Sequence, residues 1–298
     1  MTKSFITAAA LALLAVGAAQ ADTLAKIKQS GAVSMGVRES SGALSYTLGN
    51  NQFAGFHVEI CQRVLEDVRK QLGLAKLDVK YVPVTSQNRI PLVQNGTVDI
   101  ECGSTTNNAT RQKDVAFAVT TYVEEVRIAV KANSGITSIA QLANRNVATT
   151  TGTTSVQHLR RHERGANVNF NEVFGKDHAD SFLLLETGRA DAFVMDAQIL
   201  AGNIARSKTP GDYAIVGEVL SVEPIAIMLR KDDPAFKKAV DDRIKALMAS
   251  GEIRKLYDRW FMQPIPPANV RVGLPASEAT RAAWARPNDL PLESYNRP

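Results

Sequence analysis

The chain is predicted to be an α/β protein of two related lobes, each a mainly parallel sheet flanked by helices. Strand-like and helix-like segments alternate along its 298 residues, the pattern of parallel sheets with covering helices. Its length suits two domains or one divided domain. Finally, the chain repeats itself. "RIPLVQNGTVDIECGS" is answered by "SFLLLETGRADAFVMD", with Gly96 matching Gly188, Asp99 matching Asp191 and Ser104 matching Asp196, all 92 residues apart. At the same offset Ser86 falls opposite His178. Polar residues align at both flanks of the echo, which a chance helix–Gly–strand match does not require.

The elements follow in order. Lys3 precedes the apolar run "FITAAALALLAVGAA" and then Ala19-Gln20-Ala21, a small-x-small cleavage pattern, so Met1–Ala21 reads as a removed secretory signal peptide. Taking those 21 residues from 298 leaves 277, and losing Lys3 lowers the formal net charge from +5 to +4. "AVSMGV" is a strand leading into Arg38. Apolar residues at Val58, Cys61, Leu65, Val68 and Leu72 make His57–Leu72 a helix, which Gly73 ends. "LDVKYVPV" alternates as a strand, a short helix carries Ile90, Leu92 and Val93, and Val98 to Cys102 reads as a buried strand. "VRIAVKA" is a strand starting near Val126. "RNVATTT" leads through a loop to a helix over Ser155–Arg164, and "AFVM" is another strand. "EPIAIMLRKDDP" returns as a strand. Pro234 opens a long helix that Gly251 closes, and the proline-rich tail wraps the surface with a short helix near Ser277–Trp284.

Composition excludes several functions. The basic residues are scattered among acids with no stacking platform, which argues against nucleic acid. His57 with two distant cysteines falls short of a metal set, and no cofactor motif appears. In an oxidising compartment Cys61 and Cys102 are expected to pair.

What remains is a set of polar groups beyond strand ends, where parallel sheets bind ligands. Arg38 and Arg89 can fork onto carboxylates, with Ser86, Ser104 and Thr106 beside them. The loop Thr151–Ser155 opens a helix and suits an anion, although simple capping explains it too. Asp196 can take an ammonium group or cap a helix. His178 gains weight from its repeat partner Ser86, whereas a solvated helix face accounts for His158 and His162, and Met195 reads as core. Two anion clamps and one cation acceptor describe an α-amino dicarboxylic acid.

The motifs "VRESS", "TSQNRIPL", "ECGSTTNN", "GTTS", "KDH" and "MLRKDDP" resemble those of the glutamate/aspartate-binding members of the polar amino-acid solute-binding family that serves ABC importers. The resemblance covers essentially the whole mature chain. It implies a type II-like two-lobed periplasmic binding protein with two crossover strands, lobe 1 from 22–125 and 224–298 and lobe 2 from 126–223. It implies a periplasmic monomer that closes on L-glutamate or L-aspartate and delivers it to a membrane permease, with no covalent chemistry. Arg38, Ser86 and His178 would hold the side-chain carboxylate, Arg89 and Thr106 the α-carboxylate, Ser104 and Asp196 the ammonium, and Thr154 one carboxylate. Ala197 and the apolar "SVEPIAIM" depart from the family pattern. The rival expectations are glutamine or asparagine as guest, or a dehydratase-like lyase using Asp196 and His178.

Overall fold

The computed structural model describes residues 22–295, so the signal peptide expected at Met1–Ala21 lies outside the described residues. Two five-stranded sheets form the centre of two lobes. The first runs Asp78–Pro83, Ala32–Val37, Ile100–Glu101, Met228–Arg230, Val115–Phe117 across its width. Its first three strands are parallel and the other two pairings are antiparallel. The second runs Asn171–Gly175, Asn146–Thr150, Ala192–Asp196, Tyr122–Lys131, Tyr213–Ile225, again parallel at first and antiparallel at the far edge. Apolar clusters cover both faces of each sheet. That burial explains why the strands read as near-continuous hydrophobic runs.

The sequence echo is a structural repeat. The helices Arg89–Gln94 and His178–Glu186 each end before a glycine in the left-handed region, Gly96 at φ 76° and Gly188 at φ 72°. The turns that follow bond alike: Val98 N donates to Leu92 O as Ala190 N does to Leu184 O. Asp99 accepts from Ser34 N, and Asp191 from Asn146 N, so each aspartate ties its turn to the second strand of its own sheet. The conserved offset therefore positions the two strand ends in the same way.

Two sequence boundaries shift. The strand expected to start near Val126 begins at Tyr122, and the returning strand begins at Tyr213 and breaks at Ala226–Ile227 before Met228. Tyr122–Lys131 and Tyr213–Ile225 pair antiparallel, with Glu124 opposite Glu223 in the register. A third, small sheet of Ser40–Ser41, Ser45–Gly49 and Gln52–Ala54 was not anticipated. The long helices match expectation: Phe56–Gln71 and Pro234–Ala249.

Cys61 and Cys102 are joined, pinning that first helix to the strand end after Glu101. The tail helix Glu278–Ala285 clasps the root of Tyr122–Lys131. Thr280 Oγ1 accepts from Val123 N (3.0 Å) and donates to Val123 O (3.2 Å), and Trp284 Nε1 donates to Thr121 O (2.7 Å). Among the described residues no helix is long and apolar enough to cross a membrane.

Candidate functional site

The polar groups named from the sequence all leave the carboxyl ends of strands. Arg38 follows Ala32–Val37, Ser86 and Arg89 follow Asp78–Pro83, and Ser104 and Thr106 follow Ile100–Glu101. From the second sheet, Thr154 follows Asn146–Thr150, His178 follows Asn171–Gly175, and Asp196 ends Ala192–Asp196. Ser86, Arg89, Ser104, Thr106, Thr153, Thr154, His178, Met195 and Asp196 wall one small, nearly closed-up cavity of about 10 Å³. Met195 is core, as expected, and also reaches that wall.

Arg38 is fully buried beside this cavity. Its Nη2, with two protons to share among them, lies 3.0 Å from Ser86 Oγ, 2.8 Å from Asp177 Oδ1 and 3.2 Å from His178 Nε2. The two positions matched by the sequence echo thus meet on one guanidinium nitrogen. A guanidinium only donates, so His178 Nε2 accepts and its proton sits on Nδ1, facing Thr150 Oγ1 at 2.9 Å. Burial, and then the nearby Arg38, push the His178 imidazole down to about 3, so it is neutral. His178 therefore orients Arg38 in this arrangement. Asp177, absent from the sequence reading, also takes the Ser40 hydroxyl; burial opposes its ionisation, but the neighbouring Arg38 guanidinium and these bonds pull it down to about 2. Arg38 Nε and Nη1 have no hydrogen-bond partner, and neither have Arg89 Nε and Nη1. Burial, with Arg111 and Arg38 close by, pushes Arg89 well below its ordinary range. Unmatched buried donors of this kind are costly, and a carboxylate is their natural acceptor.

Asp196 supplies the opposite polarity. It stands at the N-terminus of the helix Ala197–Arg206 but makes no cap bond, so capping does not account for it. Burial, followed by Glu223, pushes its carboxyl up to about 8 despite the three arginines. Thr153, at the entrance of the helix Thr154–Ala166, makes no cap bond either; its hydroxyl donates back to Thr150 O. The helix start, with Thr153 and Thr154 in the cavity wall, has no side-chain cap, which suits an anion.

The sequence reading passed over the groups behind the wall. Glu223, in the segment read as apolar, is fully buried and accepts from Thr106 Oγ1 (2.6 Å), Thr154 Oγ1 (2.8 Å) and His158 Nε2 (2.5 Å). His158 is thus buried and paired, a correction to its placement on a solvated face, whereas His162 is half-buried and stacks on Phe170. Burial would raise Glu223, but the bonds from His158 and the threonines outweigh it and hold the carboxyl below its usual range. Its cross-strand neighbour Glu124 goes the other way, raised well above by burial and by Asp196. The opposite directions of shift lessen the repulsion of a like-charge pair. Arg111 is the other missed group: Nη1 donates to Thr106 O (2.9 Å) and Nη2 to Gly152 O (3.4 Å), spanning the two halves.

Residues 33–263 match the model of the bacterial extracellular solute-binding proteins, family 3. The chain belongs to this family. It is 44% identical over 287 residues to a glutamate/aspartate import solute-binding protein of Escherichia coli K12, covering 94% of this chain and 95% of that one. It is also 44% identical over 290 residues to an L-glutamate/L-aspartate-binding protein of Pseudomonas aeruginosa PAO1, covering 97% and 96%. Among solved structures, an ancestral amino-acid-binding protein described as a precursor of cyclohexadienyl dehydratase superposes with TM-score 0.69 at 27% identity, over 80% of this chain and 99% of that one. The cysteine-binding protein of Campylobacter jejuni gives 0.70 at 24% identity, over 80% and 93%, and supports the two-lobed fold alone. The high-identity relatives are transport binding proteins, and the family is one of binding proteins, so the lyase reading is not favoured.

Proposed function

We propose that this chain captures L-glutamate and L-aspartate outside the cytoplasm and presents them to the permease of an ABC importer. One observation carries this reading: Arg89, with unpartnered guanidinium nitrogens, and the uncapped acid Asp196 line one cavity, and buried Arg38, with two unpartnered nitrogens of its own, is bonded to the wall residues Ser86 and His178. Two forks for carboxylates and one acceptor for an ammonium match an acidic amino acid, charge for charge. The names of the 44% identical relatives support the same guest. Arg38, backed by Ser86 and His178, takes the side-chain carboxylate. Arg89, Arg111 and the N–H groups around Thr154 take the α-carboxylate, and Ser104 and Asp196 the ammonium.

Residues 22–125 and 224–298 form one lobe and 126–223 the other, and the guest favours the closed form by touching both. Met1–Ala21 directs export and is removed. The test is a thermal-shift screen of all amino acids on ligand-stripped protein. Glutamate and aspartate should raise the midpoint most, while a larger rise with glutamine or asparagine overturns the assignment of Arg38.

A further inference from the structure

Glu223 stands behind the cavity wall, on the crossover strand Tyr213–Ile225, and touches no part of the cavity itself. Its carboxylate nevertheless joins the two halves. Oε2 takes the hydroxyl protons of Thr106, after the first sheet, and of Thr154, at the start of a helix on the second; Oε1 takes His158 Nε2. Thr106 and Thr154 are both cavity-wall residues. A carboxylate can only accept, and a hydroxyl has one proton, so the direction of both bonds is determined. With its proton committed backwards, each hydroxyl oxygen has only lone pairs to offer forwards.

We propose that Glu223 is a positioning residue which, by holding these two protons, fixes Thr106 and Thr154 as acceptors and so makes the cavity choose the ammonium end of an amino acid. This rests on the proposed binding of amino acids and revises the expectation that these hydroxyls serve carboxylates. The bond from His158 Nε2 to Oε1 favours the charge on Glu223, and burial opposes one on Glu124 opposite.

The test compares an amino acid with its deaminated counterpart, glutamate with glutarate or aspartate with succinate, by calorimetry and displacement. His158 Nε2 keeps the amide oxygen on its side, so in Glu223→Gln the amide nitrogen stands in place of Oε2 and donates to both hydroxyls, which then turn their protons towards the cavity. Glutamate should weaken while glutarate holds or tightens, so the ratio of the glutarate to the glutamate dissociation constant should fall about tenfold. A merely structural defect weakens both and leaves the ratio unchanged, which overturns the proposal. Should Glu223→Gln fail to fold, Thr106→Val must lower the same ratio and Thr106→Ser restore it; an unchanged ratio in Thr106→Val overturns the proposal as well. If wild-type protein binds neither glutamate nor aspartate, the proposed function fails instead, and the comparison is run on whichever amino acid does bind.

Discussion

Gly152 offers the sharpest test of capture by closure. It sits in the "TTTGTTS" loop at φ +82°, and a Cβ there would lie 2.8 Å from Gln87 Cα, 2.9 Å from Gln87 N and 2.9 Å from Ser86 C. These are backbone atoms across the cleft, so no side chain can swing aside. Gly152→Ala carries two separable penalties. The left-handed backbone costs about 1 kcal/mol whether the lobes are together or apart, so it lowers stability and cancels from affinity. The clash exists only when the lobes meet, and overpacking of this kind costs roughly 1–3 kcal/mol. Affinity for glutamate should therefore fall by about 5- to 150-fold. Gly31→Ala is the control, since Gly31 also has positive φ (+65°) but nothing within 4 Å of a Cβ. It should lose stability and keep its affinity. Calorimetry gives the binding constant, and small-angle scattering the compaction on adding ligand. Wild-type affinity with full compaction in Gly152→Ala would show that the halves do not meet at this point.

Three further outcomes are expected. Arg38→Ala should weaken glutamate and aspartate far more than their amides, by roughly 2–5 kcal/mol for a buried charge pair, and calorimetry showing equal losses removes Arg38 from the side-chain subsite. Asp196, pushed up to about 8, is mostly protonated at pH 7, and an ammonium seated against it favours the ionised form. Binding should therefore release most of a proton at pH 7 and almost none near pH 9.5, read as a buffer-dependent heat. Without ligand the folded state holds this proton and the unfolded state does not, so the group's contribution to stability declines from the ordinary carboxylate range up to about pH 8. Cys61→Ser with Cys102→Ser opens a bridge spanning a sequence separation of 41 and should cost about 4 kcal/mol in denaturant titrations, with secondary structure retained.

Much of the site was legible because its residues follow strands that the hydrophobic pattern reveals. Arg38, Ser104 and Asp196 each come directly after such a run, and the Ser86–His178 match emerged from arithmetic on the repeat. The acids behind the wall were hidden for a physical reason. Glu223 and His158 are 65 positions apart, and neither looks buried until the other is beside it. Glu124 and Glu125 put the expected start of Tyr122–Lys131 late, near Val126, because a strand passing between two lobes lacks the alternation of an ordinary sheet strand. Asp177 was hidden by its place at a helix entrance, where capping is the first explanation, although it makes no cap bond. The small hairpin did leave a trace: Asn50 and Asn51 both take positive φ (51° and 56°), and adjacent asparagines between short strands are a tight-turn signature.

Trp284 packs in the apolar cluster of the first sheet, with Met35 and Leu229, while its helix also bonds the root of the crossover strand at Thr121 and Val123. A fluorophore on the outer face of Glu278–Ala285 would then travel rigidly with the first sheet, and a second on Thr154–Ala166 with the other. Energy transfer between them would report each arrival of an amino acid as a change in colour, making the chain a sensor without alteration to its pocket.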